Sequence, residues 1–163
     1  MDSRRQIPLT GFLNGCILPK IDDLPEVRAV YAETMRTLGK PSFEYSMMNV
    51  AHAVSMLYCL VVVPWELLLS DVDLLDSVKA ESLSKRFEII VSDASFREDP
   101  EFQLLRHLRN AVSHARFEIS DNRQFEFSDR DKKNELVWRA KIEWDDLLSV
   151  LTKLGHHFGQ VEL

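Results

Sequence analysis

The spacing of hydrophobic residues changes period part-way along this 163-residue chain. Up to about residue 115 apolar positions recur every three or four residues, the repeat of an amphipathic helix. From 117 to 144 they recur every second residue, the repeat of a half-buried strand. A chain with both patterns in that order is mainly α, with a helical core first and a small antiparallel meander after it. Phe117 and Ile119, then Phe125 and Phe127, then Trp138, Ala140, Ile142 and Trp144 supply the alternating sets. Asp121-Asn122-Arg123 predicts a tight turn between the first two strands, and the charged run 129–135 a longer loop before the third.

Punctuation divides the helical part into four. Pro25, after Asp22 and Asp23, opens a helix that Gly39 closes after Leu38. Ser42 caps a second, running through Tyr45, Met48, Ala51, Met56 and Leu60 towards Pro64, with Met47 and Met48 as core filler. Asp71 or Asp73 opens a third, with Leu74, Leu75, Val78, Leu83, Phe87, Ile90 and Val91 inward. Asp99-Pro100-Glu101 starts the fourth, combining a cap, a first-turn proline and an early acid. Asp145 caps a last helix with Leu147, Leu148, Leu151, Leu154 and Phe158 at helical spacing.

The first 24 residues hold Pro8, Gly11, Gly15 and Pro19, which predicts an extended arm packed through Phe12, Leu13, Ile17 and Leu18. The expectation is a single domain: arm 1–24, four-helix core 25–115, β meander 116–144 and closing helix 145–158. A chain of this length buries enough surface to fold without disulfides or a structural metal. Cys16 and Cys59 fit no metal spacing and read as buried free thiols. No signal peptide is expected, since residues 1–6 are polar and the apolar stretch after them is broken by Gly11, Asn14 and Gly15. Residues 51–69 carry His52, Ser55, Pro64 and Glu66, short of about 18 clean apolar residues, so a soluble, cytoplasmic protein without a membrane partner is expected.

The net charge of −6 excludes coating nucleic acid through bulk charge, so an anionic ligand needs a local basic patch. Residues 106–116 supply one, with three arginines, two histidines and no acid. At about 100° per residue, Leu104, Leu105, Leu108, Ala111, Val112 and Ala115 share the core face. Arg116, Arg109, Ser113, Arg106, Asn110, His114 and His107 share the opposite arc. A guanidinium holds phosphate oxygens and offsets charge developing in a transition state. Histidine can take a proton from a ribose 2′-hydroxyl or return one to a leaving 5′-oxygen. Arg109 and His114, about 140° apart on an ideal helix, spread across a wide face that a two-fold copy would narrow. The expected assembly is therefore a homodimer sharing its site.

The residues Arg109-Asn110-Ala111-Val112-Ser113-His114 resemble the Arg-x4-6-His motif of the HEPN superfamily, whose ribonuclease members often carry Asn directly after the Arg. Chance alone gives about 0.4 Arg-x4-His pairs in a chain with 12 Arg and 5 His, and about 0.01 when the Asn is required. The longer motif is what carries weight. Four helices before or bearing the motif also look like the family's helical domain, the meander and last helix look like an elaboration, and the plasmid-encoded p136-like subgroup is the nearest. The resemblance implies a metal-independent endoribonuclease leaving a 2′,3′-cyclic phosphate and a 5′-hydroxyl, with no cofactor, in a toxin or defence role and with an antitoxin protein as partner. Arg109, Asn110 and His114 would be catalytic, and Arg106, Ser113 and Arg116 would bind RNA. Some members whose antitoxin is a nucleotidyltransferase have Tyr two residues after the His. Arg116 stands there in this chain, which speaks against tyrosine-directed modification.

Blander readings use the same residues. A non-catalytic HEPN-like dimeric module would bind a nucleotide or a protein, and a structural dimer would use His114 only to cap helix-end carbonyls. His107 and Arg106 would be solvated charges. His156 and His157 read as surface or packing residues rather than metal ligands. His52 reads as a satisfied core histidine, and Trp138 and Trp144 as core packing rather than base-stacking platforms.

Overall fold

A computed structural model of the chain describes residues 3–42, 45, 46, 49–120 and 122–159. Helix α1 spans Ser3–Asp22, so the extended arm is a helix despite its prolines and glycines. Gly11 and Gly15 are close-approach positions rather than breakers. A Cβ on Gly11 would sit 2.7 Å from the Cβ of Cys59, and one on Gly15 would meet the thioether of Met56. Phe12 in turn occupies the space that a side chain at Gly155 would need. Of the expected arm contacts, Phe12 packs against the core, whereas Leu13 and Ile17 face outward.

Helix α2, Pro25–Thr37, has the proline start and the glycine stop read from the sequence, with Gly39 at φ 71°. It buries none of its residues, so it lies outside the core that it was expected to help build. Polar contacts tether it. Tyr31 donates to the buried Asp22, and Arg28 reaches the carbonyl of Tyr45. Helix α3, Val50–Leu57, begins later than Ser42 because Asn49 caps it, accepting from the His52 N–H at 3.1 Å. Met47 and Met48 lie outside the described residues.

From Val50 the chain stays helical through a π turn, Tyr58–Val62, into α4, Trp65–Ser70. This run of 21 residues is long and apolar enough to cross a membrane by length and composition. Here its Leu57, Leu60, Val61, Leu67 and Leu68 are built into the core.

Asp71 caps α5, Val72–Lys79, through the Leu74 N–H. The expected continuation to Val91 fails at Ser82, whose left-handed backbone (φ 52°) ends the helix. A 3-10 turn over Leu83–Arg86 leads into a strand, β1, Glu88–Val91. Strand is therefore not confined to 116–144. Two capped helices follow. Asp93 accepts from Phe96 N–H at the start of α6, Ala94–Glu98, and Asp99 from Phe102 N–H at the start of α7, Pro100–Ser113.

Strands β2, Phe117–Ile119, β3, Gln124–Arg130, and β4, Leu136–Glu143, form the meander, and β1 adds antiparallel to β4, giving the order β1-β4-β3-β2. The turn between β2 and β3 includes Arg123 at φ 61°, while Asp121 lies outside the described residues. Helix α8, Trp144–Gly159, closes the chain and packs on α1, with Trp144 starting the helix rather than ending the strand. Helix α1 packs on α3 with its π turn and on α8, α7 packs on the π turn, and α5 packs on α8, so the helical core includes α1 and α8 beside segments expected from the sequence. Helix α7 lies between the π turn on one side and β3 on the other. That position leaves one edge of the motif-bearing helix half-buried, with its end at Ser113 exposed.

Gly11→Ala tests the socket. Alanine gains about 1 kcal/mol of helix propensity, but overpacking against the inflexible Cβ of Cys59 costs about 1–3 kcal/mol. Urea unfolding is expected to show a net loss for Gly11→Ala. Gly15→Ala should lose less, because the Met56 side chain can swing aside.

Candidate active site

The motif sits where α7 stops. His114 is the residue flanking the last turn, and Ala115 adopts a left-handed backbone at φ 51°. Ala115 N–H donates to Val112 O at 3.1 Å and Arg116 N–H to Ala111 O at 2.8 Å, the paired bonds of a Schellman ending. The chain then turns into β2, and Ser128 N–H donates to the Arg116 carbonyl at 3.0 Å. Ser113 and His114 are both exposed, and the His114 side chain makes no hydrogen bond or ring contact among the described residues. The imidazole does not cap the helix carbonyls. It is free to meet a ligand.

Behind this end lies an acid that sequence reasoning passed over. Asp129, at an inward position of β3 after Phe125 and Phe127, is only 4% exposed. Its Oδ2 accepts from His107 Nδ1 at 2.9 Å and from Asn110 Nδ2 at 2.9 Å. Its Oδ1 accepts from the Arg130 N–H at 2.8 Å and faces the Arg116 guanidinium at 3.7 Å. Burial pushes the carboxyl's pKa up, but the bonds from His107, Asn110 and Arg130 N–H outweigh it and hold the group below the ordinary carboxylate range. The signal available in the sequence was an acid at an inward-facing strand position, hidden within a run read as solvated loop.

His107 is not the solvated charge considered above. It is fully buried, with its ring stacked on Trp138 at 5.2 Å and 6°. Arg106 NH2 approaches its Nε2 at 3.4 Å. A guanidinium can only donate, so Nε2 accepts and Nδ1 carries the proton given to Asp129. Asn110, half-buried, passes the order outward: its Oδ1 accepts from Arg109 NH1 at 3.1 Å. Arg109 and Asn110 are thus brought together, with His114 beyond them on the exposed helix end.

The expected RNA contacts divide. Arg106 turns towards Asp93, 3.7 Å away, and Arg116 towards Asp129. Arg116 also lines a cavity of about 190 Å³ beside Ala115, together with Arg130, Arg139, Ser128, Glu118 and Glu126. Trp138 is fully buried and Trp144 packs on Phe125, so both serve the core. His157 bonds Glu81 and Ser77, and His156 meets the Phe12 ring. His52 Nε2 is buried and has no hydrogen-bond partner among the described residues, and burial lowers its pKa. Both cysteines are free but half-buried rather than buried. Among the described residues no group of three or more His, Cys, Asp or Glu could hold a metal ion.

The helix end stores a small strain, because Ala115 holds a backbone conformation suited to glycine. Ala115→Gly is expected to raise stability by about 1 kcal/mol, read by chemical denaturation.

A family model described as HEPN pEK499 p136 matches residues 11–159. No curated protein and no solved structure matches the chain. The matched span begins within α1 and runs to the end of α8, taking in the motif, the sheet and the Asp129 network alike. The chain belongs to the HEPN pEK499 p136 family.

Proposed function

We propose that this protein is a metal-independent endoribonuclease of the HEPN type. The observation that carries the reading is the end of α7, where a guanidinium held by its neighbouring amide is followed, at the helix end, by an exposed imidazole without a partner among the described residues. In the reaction, Arg109 binds the scissile phosphate and offsets the charge that develops on it. The ribose 2′-oxygen forms a bond to phosphorus and the bond to the 5′-oxygen breaks. The 2′-hydroxyl proton leaves to a base, and a proton reaches the departing 5′-oxygen. His114 serves this transfer, leaving a 2′,3′-cyclic phosphate and a 5′-hydroxyl. The cavity lined by Arg116, Arg130 and Arg139 supports a path for the RNA backbone leading away from His114.

A single exposed imidazole in the motif, without an Arg109–His114 contact among the described residues, favours a site completed by a second copy across a two-fold axis. The biological setting we propose is cytoplasmic, as a toxin or defence nuclease restrained by an antitoxin protein.

Purified protein is expected to cut RNA with EDTA present. Arg109→Ala and His114→Ala should each lower the rate by about 10²-fold or more. His114 is exposed and without a hydrogen bond among the described residues, so His114→Ala should change stability by less than about 0.5 kcal/mol. Variants that cut at the wild-type rate would end the assignment, and a wild-type protein that binds RNA or nucleotide without cutting would place it among the non-catalytic modules. Sedimentation velocity at micromolar concentration should give the mass of two chains. A stable monomer would remove the shared site.

A further inference from the structure

We propose that Asp129 is the positioning residue of this site: its carboxylate sets the orientation of Asn110 and thereby holds the Arg109 guanidinium in place. The inference rests on the nuclease reading for its activity arm alone. A carboxylate only accepts hydrogen bonds and a guanidinium only donates them. Asn110 stands between the two, with Nδ2 towards Asp129 and Oδ1 towards Arg109. The polarity of its neighbours permits one orientation of the amide. Turned over, Asn110 would set its oxygen against the Asp129 carboxylate and its NH2 against Arg109.

His107 serves the same carboxylate from below. Fully buried and stacked on Trp138, it has no route to a ligand, yet it gives its Nδ1 proton to the oxygen that Asn110 also uses. Its Nε2 lies 3.4 Å from the Arg106 guanidinium, which can only donate, so it is the Nδ1 hydrogen that is directed at the charge of Asp129. That charge faces Arg116 directly and Arg109 through Asn110.

Packing alone does not call for an acid here. The inward neighbours on β3 are Phe125 and Phe127, and an apolar residue would continue that row, whereas a buried carboxylate costs several kcal/mol in desolvation before its partners offset it. What the acid supplies, and an apolar residue could not, is a fixed acceptor for three donors from two elements, one of them the amide on which Arg109 rests.

Asp129→Asn, nearly isosteric, is the test in the full chain. Its single amide oxygen cannot serve both the His107–Asn110 side and the Arg130 N–H, so at least one of the three donors then faces an amide NH2. We expect ¹⁵N relaxation of the Arg109 Nε–H to change from rigid to mobile, with circular dichroism unchanged. In RNA cleavage kcat should fall about 10- to 100-fold with KM little altered. Asn110→Ala should produce the same fall, and the double variant no greater one, since both act along one chain of contacts. Unchanged Arg109 order, or losses that add in the double variant, would overturn the proposal. Should Asp129→Asn not fold, the wild-type protein decides: imidazole ¹⁵N spectra must show His107 protonated at Nδ1, and Asn110→Ala alone must loosen Arg109. A wild-type protein without cleavage would defeat the nuclease reading, leaving Arg109 order to judge the positioning role.

Discussion

A single buried carboxylate fixes how α7 sits on the sheet. Asp129 gathers donors from the helix, His107 and Asn110, and from its own strand, the Arg130 N–H. Apolar contacts are non-directional and leave a helix free to roll by small angles at little cost. Hydrogen bonds to a buried charge are directional, and leaving one unmade costs far more. The roll of α7 is therefore set by Asp129, and with it which residues lie on the open edge.

The same contact explains what the sequence concealed. Leu104, Leu105, Leu108, Ala111 and Val112 are buried as their spacing requires. An angular plot, though, assigns a helix one apolar face and takes the remainder for solvent. Helix α7 has packing partners on two sides, so His107 is buried on the side that the plot gives to water. No periodicity within 100–113 could report a strand that lies further along the chain.

Local signals were read best where the physics is local. Asp71 and Asp99 cap their helices through their own side chains. The alternation in β3 and β4 appears as alternating burial. Tertiary context overrode local propensity elsewhere. Gly11 and Gly15 break helices in isolation, yet in α1 they let its backbone approach Cys59 and Met56. Leu83, Phe87 and Ile90 keep helical spacing, but pairing with β4 makes a strand of 88–91.

An acid beneath a cluster of arginines weakens their summed attraction for a polyanion, and on the nuclease reading that trade is favourable. Binding energy spent equally on ground and transition states does not raise kcat, whereas a guanidinium already in place when charge develops on phosphorus does. Loose arginines would supply affinity alone. Exposed Arg130 lies on the cavity wall and bonds the Asn134 carbonyl, a neutral partner that does not cancel its charge. Arg109 is tied through Asn110 to a buried charge, so its order is settled by folding and not by the substrate. On that reading the chain separates attraction from orientation: Arg130 stays available to a polyanion, and Arg109 is held through Asn110.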